Sequence, residues 1–244
     1  MQATLIRTAF AAALLCSGAA QAGTIDTHAF TLDSAGDGPA ADIALIGDDA
    51  NRATFSLDGL MRHMHSSVDS AGVPSASTDS PAQAGYGIGV KSGYRITGLT
   101  ISGTFSGSLA PADGGAAGND IGLSFVAWPP GQVPLWSNYA HAVDLDGDHA
   151  FSVTLGTQAL RGEFLLGVLG SATASADSAL FHDDATDTDS WLGSAAQVRV
   201  GNLVLTVDVA PVPEPQAWLM LLGGMGALGA WRRRVSAARN ASQQ

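Results

Sequence analysis

The chain has 244 residues, 46% of them hydrophobic, with 22 acidic against 11 basic side chains and a net charge of −11. That balance argues against a nucleic-acid partner and against direct adhesion to an anionic surface. Cys16 is the only cysteine, so the chain beyond it is without disulfides, thiol catalysis or cysteine metal ligands.

Met1–Ala22 has the form of a signal peptide. Arg7 is its basic start, Ala9–Leu15 its apolar stretch, and Ala20-Gln21-Ala22 a small-x-small cleavage site that would leave Gly23 as the new N-terminus. Leu15 precedes Cys16 where lipidation wants a small residue, which favours peptidase cleavage. Residues 23–211 are long enough for one domain with its own core. Residues 23–214 hold all 22 acids and only 6 bases (Arg52, Arg62, Lys91, Arg95, Arg161 and Arg199), a balance of −16. Nearly all the acids are aspartate, which fits solubility and turns or, more sharply, divalent cations.

Gly, Ser, Thr and Asp are abundant and Lys and Glu scarce, so an all-β fold is expected. Gly23–Leu32 reads as a first strand, and Ser34–Pro39 as a turn cluster. Asp42–Gly47 and Ala53–Leu57 are short strands, Met61–Val68 is ambiguous, and Ser70–Gln83 reads as a surface loop. Tyr86–Val90 alternates, then Leu99, Ile101, Gly103 and Phe105 share one face, the pattern of a half-buried strand pair. Ala110–Asn119 is a loop, and Ile121–Trp128 a strand stopped by Pro129-Pro130. Asp146-Gly147-Asp148, between His141–Leu145 and Ala150–Leu155, is a hairpin signal. Glu163–Leu169 is a buried strand, Ala172–Ser190 a long polar stretch, and Gln197–Val209 a final long strand. The sum is an antiparallel β-sandwich, jelly-roll-like, without internal repeats.

Asp144, Asp146 and Asp148 are the best metal candidates. Alternating carboxylates on a loop suit Ca²⁺, a hard cation that takes oxygen ligands. The spacing is not that of an EF-hand, since Gly147 falls too early and Leu155 replaces the closing glutamate; an Asp-Gly hairpin also needs no metal. His182-Asp183-Asp184 with Asp187 and Asp189 is a second acidic loop. His63-x-His65 would put two imidazoles on one strand face, a weak zinc signal without a third ligand. No nucleophile elbow, His-Glu-x-x-His or phosphate loop occurs. Glu163 lies beside the apolar Phe164–Val168; a glycosidase would pair two carboxylates across a cleft, and twenty aspartates leave such a pair without a location. Trp128, Trp136, Tyr139 and Trp191 are candidates for a sugar-stacking platform, against core packing for at least half of them.

The C-terminus is the most informative stretch. Ala217–Trp231 is uncharged and would span roughly 22 Å as a helix, short of the usual span of about 20 residues. Trp218 and Trp231 suit the interfaces, and Arg232-Arg233-Arg234 would hold the end in the cytoplasm. Val212-Pro213-Glu214-Pro215 is a rigid, extended tetrapeptide just outside. Together these residues resemble the PEP-CTERM sorting signal of Gram-negative bacteria. The resemblance assigns Pro213, Glu214 and Pro215 to recognition by exosortase, a membrane-embedded transpeptidase-like enzyme. It makes 217–231 the transmembrane helix, Arg232–Arg234 the basic end and Val235–Gln244 a cytoplasmic tail longer than this signal usually has. It also implies inner-membrane anchoring before processing, then the cell surface or extracellular matrix, and association with exopolysaccharide or biofilm. The expected function is that of a non-catalytic envelope or matrix protein. A Ca²⁺-supported carbohydrate-binding module and a polysaccharide hydrolase are the alternatives.

Overall fold

The computed structural model describes residues 23–34, 42–129, 136–155 and 159–212, together with Met220 and Met225. The strands are β1 (Ile25–Asp26), β2 (Phe30–Ser34), β3 (Ala44–Asp49), β4 (Arg52–Ser56), β5 (His65–Asp69), β6 (Ser75–Val90) and β7 (Tyr94–Ala110). They continue with β8 (Ala116–Trp128), β9 (Trp136–Val143), β10 (Gly147–Leu155), β11 (Glu163–Asp177), β12 (Ala179–Asp183), β13 (Thr188–Leu192) and β14 (Ala195–Pro211). One short helix, α1 (Asp58–His63), separates β4 from β5.

The front sheet has the order β1-β2-β6-β11-β8-β9, and the back sheet β10-β7-β14-β4-β3 with β5 also beside β14. Every pairing is antiparallel. The expected β-sandwich is the observed fold. Its chain passes repeatedly from one sheet to the other, as in a jelly roll: β6 lies in front, β7 behind, β8 and β9 in front, β10 behind, β11 in front and β14 behind.

Period-two alternation makes the core. Phe30, Tyr86, Phe125, Leu166 and Val168 point inward from the front sheet and meet Phe55, Ile101, Phe105, Val198 and Leu205 from the back. Phe30 and Phe55 touch across the sandwich with ring centroids 6.0 Å apart. The inward residues of β14 are Ala196, Val198 and Val200, then Leu203, Leu205, Val207 and Val209. The phase changes at a bulge between Gly201 and Val204, where Asn202 sits at φ 52. Asparagine tolerates that left-handed backbone better than most residues, and without the extra residue one half of the strand would turn its apolar face to water.

Several sequence expectations need correction. Residues 75–83 are strand, not loop. Small inward residues such as Ala82 lie opposite equally small ones on β11, and β2 covers β6 only from Tyr86 to Val90. Pro81 therefore lies on an open edge, where a missing N–H costs little. The stretches 86–90 and 94–105 do not form a strand pair. They belong to different sheets, and the turn between them crosses the sandwich. Asp146-Gly147-Asp148 is likewise a crossing from β9 to β10 rather than a hairpin. The polar stretch after Ala172 completes β11 and then forms a separate hairpin, β12–β13.

Tyr86 is fully buried, and among the described residues its hydroxyl has no hydrogen-bond partner. Burial, and then the negative charge of Asp42, push its pKa above the usual tyrosine range. The folded state thus keeps the phenol protonated more firmly than the unfolded chain does. This part of stability is complete below the ordinary tyrosine pKa of about 10 and declines as pH rises beyond it. Removing the unpaired hydroxyl should relieve a desolvation cost. Tyr86→Phe is expected to leave stability unchanged or raise it by up to about 1 kcal/mol, and to flatten its loss above about pH 10. Urea denaturation at pH 7 and pH 10.5 measures both; a clear destabilisation at pH 7 would mean the hydroxyl is bonded.

Candidate functional site

The outward phase of the front sheet carries the most distinctive surface. Register places Leu169, Ser124 and Tyr139 side by side across β11, β8 and β9, with Ser171, Gly122 and His141 in the next outward row. These rows line a shallow trough of roughly 410 Å³. Tyr139 is 73% exposed and Leu169 46%, side by side on the strand face. His141 Nε2 lies 3.0 Å from Asp120 Oδ1, which holds the imidazole beside the trough.

Four residues up β8 from Ser124 stands Trp128, on the same face. Its ring lies across Gly167: a Cβ there would fall 3.1 Å from both Cζ3 and Cη2 of the indole. A glycine on β11 thus leaves room for the half-buried indole over the sheet. Tyr139 is then roughly 14 Å away along the strand direction and one strand over. Tyr139, with Ser124, Ser171 and the His141–Asp120 pair around it, can stack on the apolar face of a sugar ring while polar side chains meet its hydroxyls, and Trp128 offers a second aromatic further along the same face.

The other aromatic candidates lie elsewhere. Trp191 belongs to the β12–β13 hairpin, and Trp136 pairs with Ala127 at the opposite phase of β9 from Tyr139. The hairpin exposes Leu180, Phe181, Trp191 and Leu192.

The backbone at the start of the Asp144–Asp148 crossing is held by hydrogen bonds to Asn119. Asp144, at φ 50, donates its backbone N–H to Asn119 O at 2.7 Å. The buried Asn119 donates Nδ2 to Leu145 O at 2.9 Å and to Gln197 O at 3.0 Å, and its Oδ1 accepts from Leu145 N at 2.7 Å. The Asn119 amide thus ties the crossing to β14. Among the described residues no group of three His, Cys, Asp or Glu side chains is placed to hold a metal, Asp144, Asp146 and Asp148 included.

In the second acidic loop His182 Nδ1 lies 2.8 Å from Asp189, and Nε2 lies 3.4 Å from Asp184 and 3.9 Å from Asp187. Asp183 accepts from Thr186 Oγ1 and from Ala185 N, which hold its carboxyl below the usual range. His63 and His65 do not share a strand face. His63 ends α1, and His65 opens β5 with Nδ1 donating to Arg62 O. Glu163 is exposed at the start of β11.

The back sheet delivers the C-terminus. Pro211 pairs with Tyr94, and Val212 N donates to Gly93 O at 2.7 Å. Pro213, Glu214, Pro215 and Arg232–Arg234 follow outside the described residues, as Ala20 and Ala22 lie outside them at the other end. Among the described residues no helix is long and apolar enough to cross a membrane; the run 217–231 lies outside them except for Met220 and Met225. A family model for the PEP-CTERM protein-sorting motif matches residues 211–234.

The chain carries a PEP-CTERM sorting domain. The motif implies an exported protein with a C-terminal membrane-anchoring signal, and processing by an exosortase. No curated protein matches this PEP-CTERM chain. Among solved structures it is similar to a CBM4 structure at 11% identity and TM-score 0.23, covering 73% of this chain and 86% of that one. It is similar to a family 11 carbohydrate-binding module from Clostridium thermocellum at 9% identity and TM-score 0.20, covering 67% and 94%. The arabinose-bound MgGH51 α-L-arabinofuranosidase matches at 12% identity and TM-score 0.22, over 72% of this chain and 23% of the enzyme.

Proposed function

We propose that this protein is a non-catalytic component of the extracellular matrix that holds exopolysaccharide on the outer face of its front sheet. In this reading the signal peptide exports the chain and the PEP-CTERM domain parks it in the inner membrane. Exosortase then releases the sandwich to the surface or matrix. The observation that carries the ligand class is the pair of aromatics on one outward face, Trp128 packed over Gly167 and Tyr139 open beside Leu169. A trough this shallow grips by stacking and hydroxyl contacts, which suits a polymer offering many equivalent sites. Ca²⁺ at Asp144, Asp146 and Asp148 is no part of this reading, because Asn119 already fixes that crossing.

Affinity electrophoresis through gels cast with the producing strain's neutral exopolysaccharide tests it. The wild-type chain is expected to be retarded. Losing a stacking aromatic forfeits about 1 kcal/mol beyond lost area, so Trp128→Ala and Tyr139→Ala should each weaken retention by roughly fivefold to tenfold. Equal retardation of the wild type and of a folded Trp128→Ala/Tyr139→Ala double variant would remove the platform from the account.

A further inference from the structure

We infer that a second groove, on the outer face of the back sheet, binds a uronic-acid unit through Arg199. It lies on the opposite sheet from the aromatic platform and does not depend on it. Register sets His65, Arg199, Ser106 and Asp148 side by side across β5, β14, β7 and β10, with Ser67 and Gln197 adjacent in the next outward row. All six line one cavity of roughly 570 Å³.

The charge of the groove is unlike that of its surroundings. In a body with a balance of −16, three of the six bases are committed to aspartates: Arg52 to Asp208, Arg62 to Asp42 and Lys91 to Asp26. Arg199 is exposed in the groove and has no hydrogen-bond or ion-pair partner among the described residues. A guanidinium so placed presents a planar fork that matches a carboxylate. His65 stands beside it. Its Nδ1 donates to the carbonyl of Arg62, so Nε2 of the neutral ring is left as an acceptor for a sugar hydroxyl.

Asp148 selects the kind of anion. It stands two strands from Arg199, roughly 10 Å away, and would repel a doubly charged phosphate. It would accept hydroxyl protons from a sugar whose single carboxylate sits on Arg199. Ser67, Ser106 and the Gln197 amide supply further donors and acceptors between the two ends. Arg62 also lines the cavity but is paired with Asp42, so one uncommitted cation, one carboxylate and a row of neutral polar groups fit a monoanionic, hydroxyl-rich ligand. A neutral sugar would leave Arg199 unpaired.

Isothermal titration of the full-length chain in detergent, with trigalacturonate as ligand and maltotriose and inorganic phosphate as comparators, tests this. Trigalacturonate is expected to bind, with affinity falling as salt rises. Arg199→Ala should weaken it at least about tenfold, and Arg199→Lys should recover only part, having the charge without the fork. Arg161→Ala, which removes an exposed arginine outside the groove, should bind as wild type. The inference is overturned if folded Arg199→Ala binds like the wild type, if maltotriose binds as tightly to the Trp128→Ala/Tyr139→Ala variant, whose front platform is removed, or if phosphate at equal concentration displaces the trimer.

Discussion

Alanine at position 119 is expected to destabilise the sandwich by about 3 kcal/mol. Asn119 lies on β8 but its side chain makes three hydrogen bonds to two other segments. It receives Leu145 N and donates to Leu145 O and to Gln197 O of β14, so one amide ties the β9–β10 crossing to both sheets. Each bond is worth about 1 kcal/mol net, and buried partners left unpaired cost more than the bond itself. Packing prevents an easy repair. A Cβ at Gly107, on the neighbouring β7, would fall 2.6 Å from Leu145 O and 2.8 Å from Asn119 Nδ2, so the backbone around the amide is already close. For a domain of this size the loss corresponds to roughly 6–12 °C in Tm. Asn119→Asp keeps the acceptor, removes both donors and sets a charge beside two carbonyl oxygens, so it should be at least as damaging. Paired urea denaturation curves measure both; a loss below about 1 kcal/mol for Asn119→Ala would show that water replaces the amide.

Glu214→Ala is expected to abolish processing while leaving the sandwich intact. Among the described residues Val212 is the last tied to the body, through its N–H to Gly93 O, and Pro211 is the last in β14. Glu214 lies two residues further along the sequence, inside the matched sorting motif. The substitution lies outside the strands that build the core, and the melting temperature of the body is expected not to change. In cell fractionation the variant should keep its full C-terminus and stay with the inner membrane, whereas the wild type should leave it. Variant chains that are shortened and exported like the wild type would remove Glu214 from recognition.

The sequence carried the fold where apolar residues alternate. Leu99, Ile101 and Phe105 were assigned to one face and are all buried. It failed where side chains are small. Residues 75–83 looked like a loop because Ser, Ala and Thr give little contrast between faces, yet they pair along β11. The Asp-Gly signal at 146–147 correctly marked a reversal of direction, but turn chemistry does not say whether the next strand joins the same sheet. Trp128 and Tyr139 were legible as stacking candidates. Their shared face was not, since it depends on the register of β8 against β9 and on Gly167, which looked like an ordinary residue in an apolar run. Arg199 gave no signal, because a lone arginine in a strand acquires meaning only from the neighbours that pairing brings beside it. The sorting motif was the reverse case: contiguous, and readable without any fold.

The most direct test is intact-mass spectrometry of the wild-type protein recovered from the extracellular polysaccharide fraction of its own cells. The account predicts a chain that begins at Gly23, ends near Pro213 and comes away with the polysaccharide. A chain that keeps Arg232–Arg234 in every fraction and remains in the inner membrane would contradict it.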